Sequence, residues 1–152
     1  MKNRELAQTI RKRLSEKHPL IQVIIGPRQV GKTTALRAAL DGRGVYATAD
    51  YPTPLSHEMI EKWWGEAATH PDKLLAIDEV QKIPGWTEVL KRLWDGSDRK
   101  LKVVVTGSSA LLVEKGLRES LAGRYELIRA EHWNYHEAMS IFGIPLKQFV
   151  EF

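Results

Sequence analysis

The chain has 152 residues, 43% hydrophobic and 28% charged, with a formal net charge of +4, which describes an ordinary globular protein of one domain with length enough for a real core. It contains no cysteine, which excludes disulfides and thiolate metal sites and suits a reducing cytoplasm. No apolar run nears the ~20 residues that cross a bilayer, and the N-terminus lacks a signal-like apolar region, so a cytoplasmic location with no membrane partner is expected.

Residues 2–17 read as a helix that His18-Pro19 ends. Lys2, Arg4, Arg11, Lys12, Arg13 and Lys17 stand there against only Glu5 and Glu16, while the rest of the chain is charge-balanced. Leu6, Ile10 and Leu14 recur at spacing four and would face the core, which makes the basic face a solvated one. Contact with nucleic acid or an acidic partner stays open beside that reading.

Leu20–Ile25 is a buried-strand run, and Thr34–Leu40 is a run of helix formers. Between them stands Gly26-Pro27-Arg28-Gln29-Val30-Gly31-Lys32-Thr33-Thr34, a complete G-x-x-x-x-G-K-[ST] loop. In such a loop backbone N–H groups wrap the phosphates of a nucleotide, Lys32 neutralises charge and Thr33 holds Mg²⁺. All nine residues are candidates for nucleotide binding; the plainer alternative is a glycine turn between strand and helix. Arg28 would either approach phosphate or pair with an acid.

Asp41-Gly42-Arg43-Gly44 is a turn, and Val45–Ala49 a second strand ending at Asp50. A helix over about 55–69 follows, with Ser56 as its cap and Met59, Ile60 and Trp63 as its apolar stripe. Leu74–Ile77 is a short apolar strand, and a helix after Ile83-Pro84-Gly85 carries Val89, Leu90, Leu93 and Trp94. Leu101–Val105 is the next strand, Ser108–Leu112 opens a helix, Tyr125–Arg129 is a final strand, and Asn134 would cap a helix over 135–142. Strands that alternate with helices and lack polar alternation predict an α/β fold of three layers around an approximately five-stranded parallel sheet. The expected organisation is one domain over 1–152: a basic helix to residue 18, a nucleotide-binding core over 19–142 and a tail over 143–152.

Asp78 and Glu79 follow the third strand at the edge where open parallel sheets bind ligands. Asp78 would then support magnesium, which prefers oxygen ligands, and Glu79 would be the base that orients water for attack on the γ-phosphate. The alternative is a solvated strand end. Thr106, closing the next strand, would position that water, or would merely end the strand while Ser108 caps the following helix. Arg124 lies just before the last strand, and arginine there would stabilise phosphoryl charge, in cis or from a neighbouring subunit. No Asn-Lys-x-Asp segment is present to read guanine, so ATP is expected rather than GTP.

Gly26–Thr34, Ile77-Asp78-Glu79-Val80-Gln81, Thr106-Gly107-Ser108-Ser109 and Ala122-Gly123-Arg124 together resemble a prokaryotic ATPase family of the AAA+ superfamily, in the P-loop class that inserts a strand between its two catalytic motifs. Asp50 falls where that family often has an Asp after its second strand. The resemblance covers about residues 20–140 and implies Mg²⁺-dependent ATP hydrolysis, self-association that supplies an arginine in trans, and a C-terminal domain beyond residue 152. The family's last segment commonly has Pro-Leu-Ser before a Glu-containing helix; here Trp133-Asn134-Tyr135-His136-Glu137 occupies it.

Five tryptophans are many for this length. Trp63 and Trp94 share helix faces with aliphatics and read as core, whereas Trp64 and Trp86 would form an exposed docking pair. His132 and His136 are four apart, but a helix starting at Asn134 spoils the one-face geometry a metal needs. Beside ATP hydrolysis, two other functions fit: a nucleotide-gated switch or assembly module with little turnover, and a small-molecule kinase. The kinase would need an arginine-rich lid that the sequence lacks.

Overall fold

The computed structural model describes residues 4–17, 19–26, 31–98, 100–108 and 110–130. In chain order the elements are α1 (Arg4–Leu14), β1 (Ile21–Ile25), α2 (Lys32–Leu40), β2 (Val45–Thr48), α3 (Glu58–Ala68), β3 (Leu74–Asp78), a 3₁₀ turn (Val80–Lys82), α4 (Trp86–Asp95), β4 (Lys102–Gly107), α5 (Ala110–Ser120) and β5 (Tyr125–Arg129). The five strands form one sheet in the order β2-β3-β4-β1-β5, and every pairing is parallel. β4, the later strand, thus lies between β1 and β3. The predicted helix over 135–142, His132, His136 and Trp133 lie outside the described residues.

Side-chain alternation along the strands builds two cores. Ile21, Val23, Ile25, Leu75, Ile77, Val103 and Val105 pack with residues of α3, α4 and α5. Ile24, Leu74, Ala76 and Val104 pack with α1 and α2. Both faces of the sheet are covered, so the strands carry continuous apolar runs, as parallel strands buried on both sides require. Ile10 and Leu14 of α1 are buried and Leu6 packs at the edge of the same cluster, so the spacing-four stripe does face the core.

Three expectations are corrected. Trp64 and Trp86 are buried in the α3–α4 side of the core and form no exposed pair. α3 lies against both β3 and α4, so a wider arc of the helix than one stripe is covered. Ser56 makes no side-chain cap: α3 starts two residues later behind His57, and Ser56 contributes only a carbonyl, accepting from the Met59 N–H at 3.1 Å. β4 runs two residues further than predicted, to Gly107, which puts Thr106 inside the sheet rather than beyond its end.

Candidate nucleotide-binding site

The site grows from β1. Ile25 pairs with Gly107 of β4 and Arg129 of β5, and the chain leaves the sheet at Gly26. A Cβ at Gly26 would stand 1.9 Å from the Ala130 carbonyl oxygen, so only glycine lets the end of β5 close over the start of the loop. The loop ends at Gly31, whose φ of 79° is left-handed, a conformation glycine adopts without strain. α2 begins there with no side-chain cap and no acid in its first turn. Its N-terminal amides and positive dipole end suit an anion. Lys32 is 3% exposed and its Nζ donates to the Gly26 carbonyl at 2.9 Å, spanning the loop from one end to the other. Pro27, Arg28, Gln29 and Val30 lie outside the described residues.

Asp78 is the hub on the neighbouring strand end. It is 3% exposed. Its Oδ2 accepts from the Thr33 hydroxyl at 2.7 Å and from the Tyr46 hydroxyl at 2.7 Å, and its Oδ1 accepts from the Thr106 hydroxyl. A hydroxyl on α2 and a carboxylate 45 residues away are thereby side by side. Burial, and after it the hydrogen bond to Asp78, push the Tyr46 phenol up to about 12, so it remains a donor at neutral pH. The Arg37 guanidinium lies 4.3 Å over the Tyr46 ring and fixes it from the α2 side.

Glu79 turns sharply out of the strand with φ 57° and ψ 43°. A non-glycine residue there costs on the order of 1 kcal/mol, so the surroundings must hold it. The fully buried Thr106 does so: its hydroxyl accepts the Glu79 N–H at 3.0 Å while donating to Asp78. The Glu79 carboxylate accepts from the Ser108 hydroxyl and from Gln81 Nε2 at 3.3 Å, and Gln81 Oε1 in turn accepts the Ser108 N–H at 3.3 Å. Ser108 and Gln81 therefore clasp the carboxylate between β4 and the 3₁₀ turn.

A family profile described as an AAA domain matches residues 18–139. The chain belongs to the AAA domain family. Uncharacterised proteins of Mycobacterium tuberculosis and Mycobacterium bovis are each 32% identical to it over 134 residues, which cover 84% of this chain and 28% of each relative. The chain thus spans under a third of the length of the curated relatives it matches. A DNA polymerase III gamma subunit-related protein from Thermotoga maritima superposes with a TM-score of 0.56 at 6% identity, covering 95% of this chain and 56% of that one. That likeness concerns the fold alone.

The AAA domain brings Gly26, Gly31, Lys32, Thr33, Asp78, Glu79 and Thr106 to one edge of the sheet. It does not bring Arg124 there. Arg124 precedes β5, its carbonyl accepts the Ile21 N–H at the start of β1, and its guanidinium grips Asp95 at 2.7 and 2.9 Å. Parallel β5 then runs five residues, about 16 Å, before reaching the loop edge. The expectation of an in-cis role fails on strand polarity. The Thr106 hydroxyl donates to Asp78 and accepts the Glu79 N–H, and so ties Asp78 to the Glu79 backbone. Thr34 is exposed in the first turn of α2. Asp50 pairs with Lys82 beside the site. The contacts of Tyr46, Ser108 and Gln81 with the two carboxylates were missed, because each side chain reaches its partner only through the fold.

Among the described residues no group of three or more His, Cys, Asp or Glu side chains is placed to hold a metal by itself, and no helix is long and apolar enough to cross a membrane.

Proposed function

We propose that this AAA domain binds Mg·ATP at the C-terminal edge of the sheet and hydrolyses it. The observation that carries the reading is the meeting of Thr33 and Asp78 at 2.7 Å beside the buried Lys32 ammonium. A hydroxyl and one carboxylate are hard oxygen donors, and magnesium characteristically takes one or two carboxylates while keeping waters and phosphate oxygens for its other positions. Thr33 and Asp78 would hold it. When bound, magnesium supplies positive charge beside the β- and γ-phosphate oxygens.

The chain's own residues do the rest. Lys32 exchanges the Gly26 carbonyl for phosphate oxygen, and the first amides of α2 face the same charge. Glu79 accepts a proton from the attacking water, its carboxylate aimed by Ser108 and Gln81 and its backbone fixed by Thr106. An arginine supplied by a neighbouring copy would complete the charge stabilisation, since Arg124 points to the other edge of its own sheet. Self-association in trans and a C-terminal domain elsewhere in the protein belong to the same proposal.

Glu79→Gln tests it. Nucleotide affinity should stay within about twofold while single-turnover hydrolysis falls by roughly 10²–10⁴; unchanged turnover would remove Glu79 as the base. A second reading, a nucleotide-gated switch with little turnover, is favoured by the clasp on Glu79, which keeps the carboxylate engaged before any water arrives. Single-turnover rates at several protein concentrations separate the two: a rate that climbs with concentration marks an ATPase completed by its neighbour, and a flat, negligible rate marks the switch.

A further inference from the structure

A second charged cavity opens at the opposite edge of the sheet, where β3 and β4 begin and where α1 and α2 end. Its volume is about 380 Å³, within the range of small-ligand sites, and Arg11, Ser15, Arg43, Asp72, Leu74 and Lys102 line it. Three cations face a single carboxylate.

The helix ends explain why two of the cations gather. Arg11 donates to the Ala38 carbonyl at 2.9 Å, and Arg43 to the carbonyls of Leu40 and Ala39 at 3.0 and 3.3 Å. Each thereby satisfies carbonyls near the C-terminal end of α2, where the dipole favours positive charge. These bonds use few of the five N–H donors on each guanidinium. They also pin both heads in place, which lowers the ordering cost of binding a ligand. Capping accounts for nothing at Lys102. That side chain is half-buried at the first position of β4 and has no hydrogen-bonding or ionic partner among the described residues. Asp72, whose Oδ2 accepts the Gly44 N–H at 2.9 Å, offsets one of the three cations, so the group keeps a net positive charge.

Pinned guanidiniums with spare donors around an unpartnered ammonium match the charge and hydrogen-bonding capacity of a phosphate group. The cavity lies on the surface, and the same stretch of chain carries exposed Lys12 and Lys17 against one exposed Glu16. An extended polyanion exploits such added charge, whereas a lone phosphate does not.

We propose that this cavity is a phosphate-contact site for the sugar-phosphate backbone of a nucleic acid, lying across the sheet from the ATP site and independent of it. Binding of a labelled 20-base-pair duplex, followed by fluorescence anisotropy with saturating Mg·ADP so that the loop at Gly31 is occupied, tests it. With about three phosphates contacted, raising salt from 50 to 200 mM should weaken binding roughly 40-fold. Lys102→Gln and Arg43→Gln, made separately, should each lower affinity by about tenfold and reduce the salt slope by about one while leaving nucleotide binding unchanged, and Lys102→Gln should also leave the melting midpoint unchanged. Absence of duplex binding at 50 mM salt would overturn the proposal, and so would equal binding by wild type and both variants. Anionic phospholipid vesicles and inorganic phosphate form the other arms: Lys102-dependent capture of either in place of the duplex would assign the cavity to that ligand and overturn the nucleic-acid assignment.

Discussion

The two edges of the sheet use polar residues in opposite ways. At the C-terminal edge Asp78, Thr106 and Lys32 are at most 3% exposed and are woven into one network with Thr33, Tyr46 and Glu79. At the N-terminal edge Arg124 meets Asp95 and Arg13 meets Glu126 in pairs open to solvent. Buried polar groups are costly when left unpaired, so the first network specifies a geometry, while the second decorates a surface. Sequence proximity to a catalytic-looking strand therefore says little unless the strand's direction is known. Thr106 ends β4 and reaches the site; Arg124 begins β5 and does not.

Breaking the buried side should have the larger effect. Thr106→Val keeps the shape but leaves the Glu79 N–H and Asp78 Oδ1 each without a partner. A loss of about 2–4 kcal/mol is expected in chemical denaturation, and an unchanged midpoint would mean the network is not stabilising. Tyr46→Phe removes one donor from Asp78 and should cost about 1 kcal/mol. It should also shift the magnesium concentration needed for nucleotide binding, measured by titration at fixed ATP. Because the Tyr46 phenol is raised from 10.0 to about 12 in the fold, its contribution is complete below pH 10 and fades between pH 10 and 12; that alkaline loss should vanish in Tyr46→Phe.

The smallest effect belongs to Arg124→Ala. Arg124 holds the Asp95 carboxyl below its ordinary value of 3.8, so the pair's contribution is present at neutral pH and is lost only as pH falls through the acid range below that value. Solvent and salt screen it. The variant should melt within a few degrees of wild type at pH 7, lose part of the acid-side drop in stability, and bind ATP normally. A collapse of ATP binding in dilute, monomeric Arg124→Ala would reverse the comparison.

Much of this architecture was legible because local signals agreed. The apolar run before Gly26, the glycine at position 31 and the helix formers after it each call for the same strand, loop and helix, and Asp78 follows an apolar strand too short to be anything else. The rest depends on contacts between elements distant in sequence. Tyr46 reaches Asp78 from 32 residues away, and Ser108 reaches Glu79 from 29; no local pattern announces either. Trp64 shows the same limit from the apolar side, since only the position of α4 beside α3 determines that both of its tryptophans are covered. Ser56 had the right chemistry for a cap, but the helix begins two residues beyond it.

Calorimetric titration of Mg·ATP into the wild-type chain and into Lys32→Ala is the most direct test. Saturable one-to-one binding that weakens at least tenfold without the Lys32 ammonium, in a variant whose fold is intact by circular dichroism, is the expected result. Equal heats from both proteins, or none from the wild type, would contradict a nucleotide site at the C-terminal edge of the sheet.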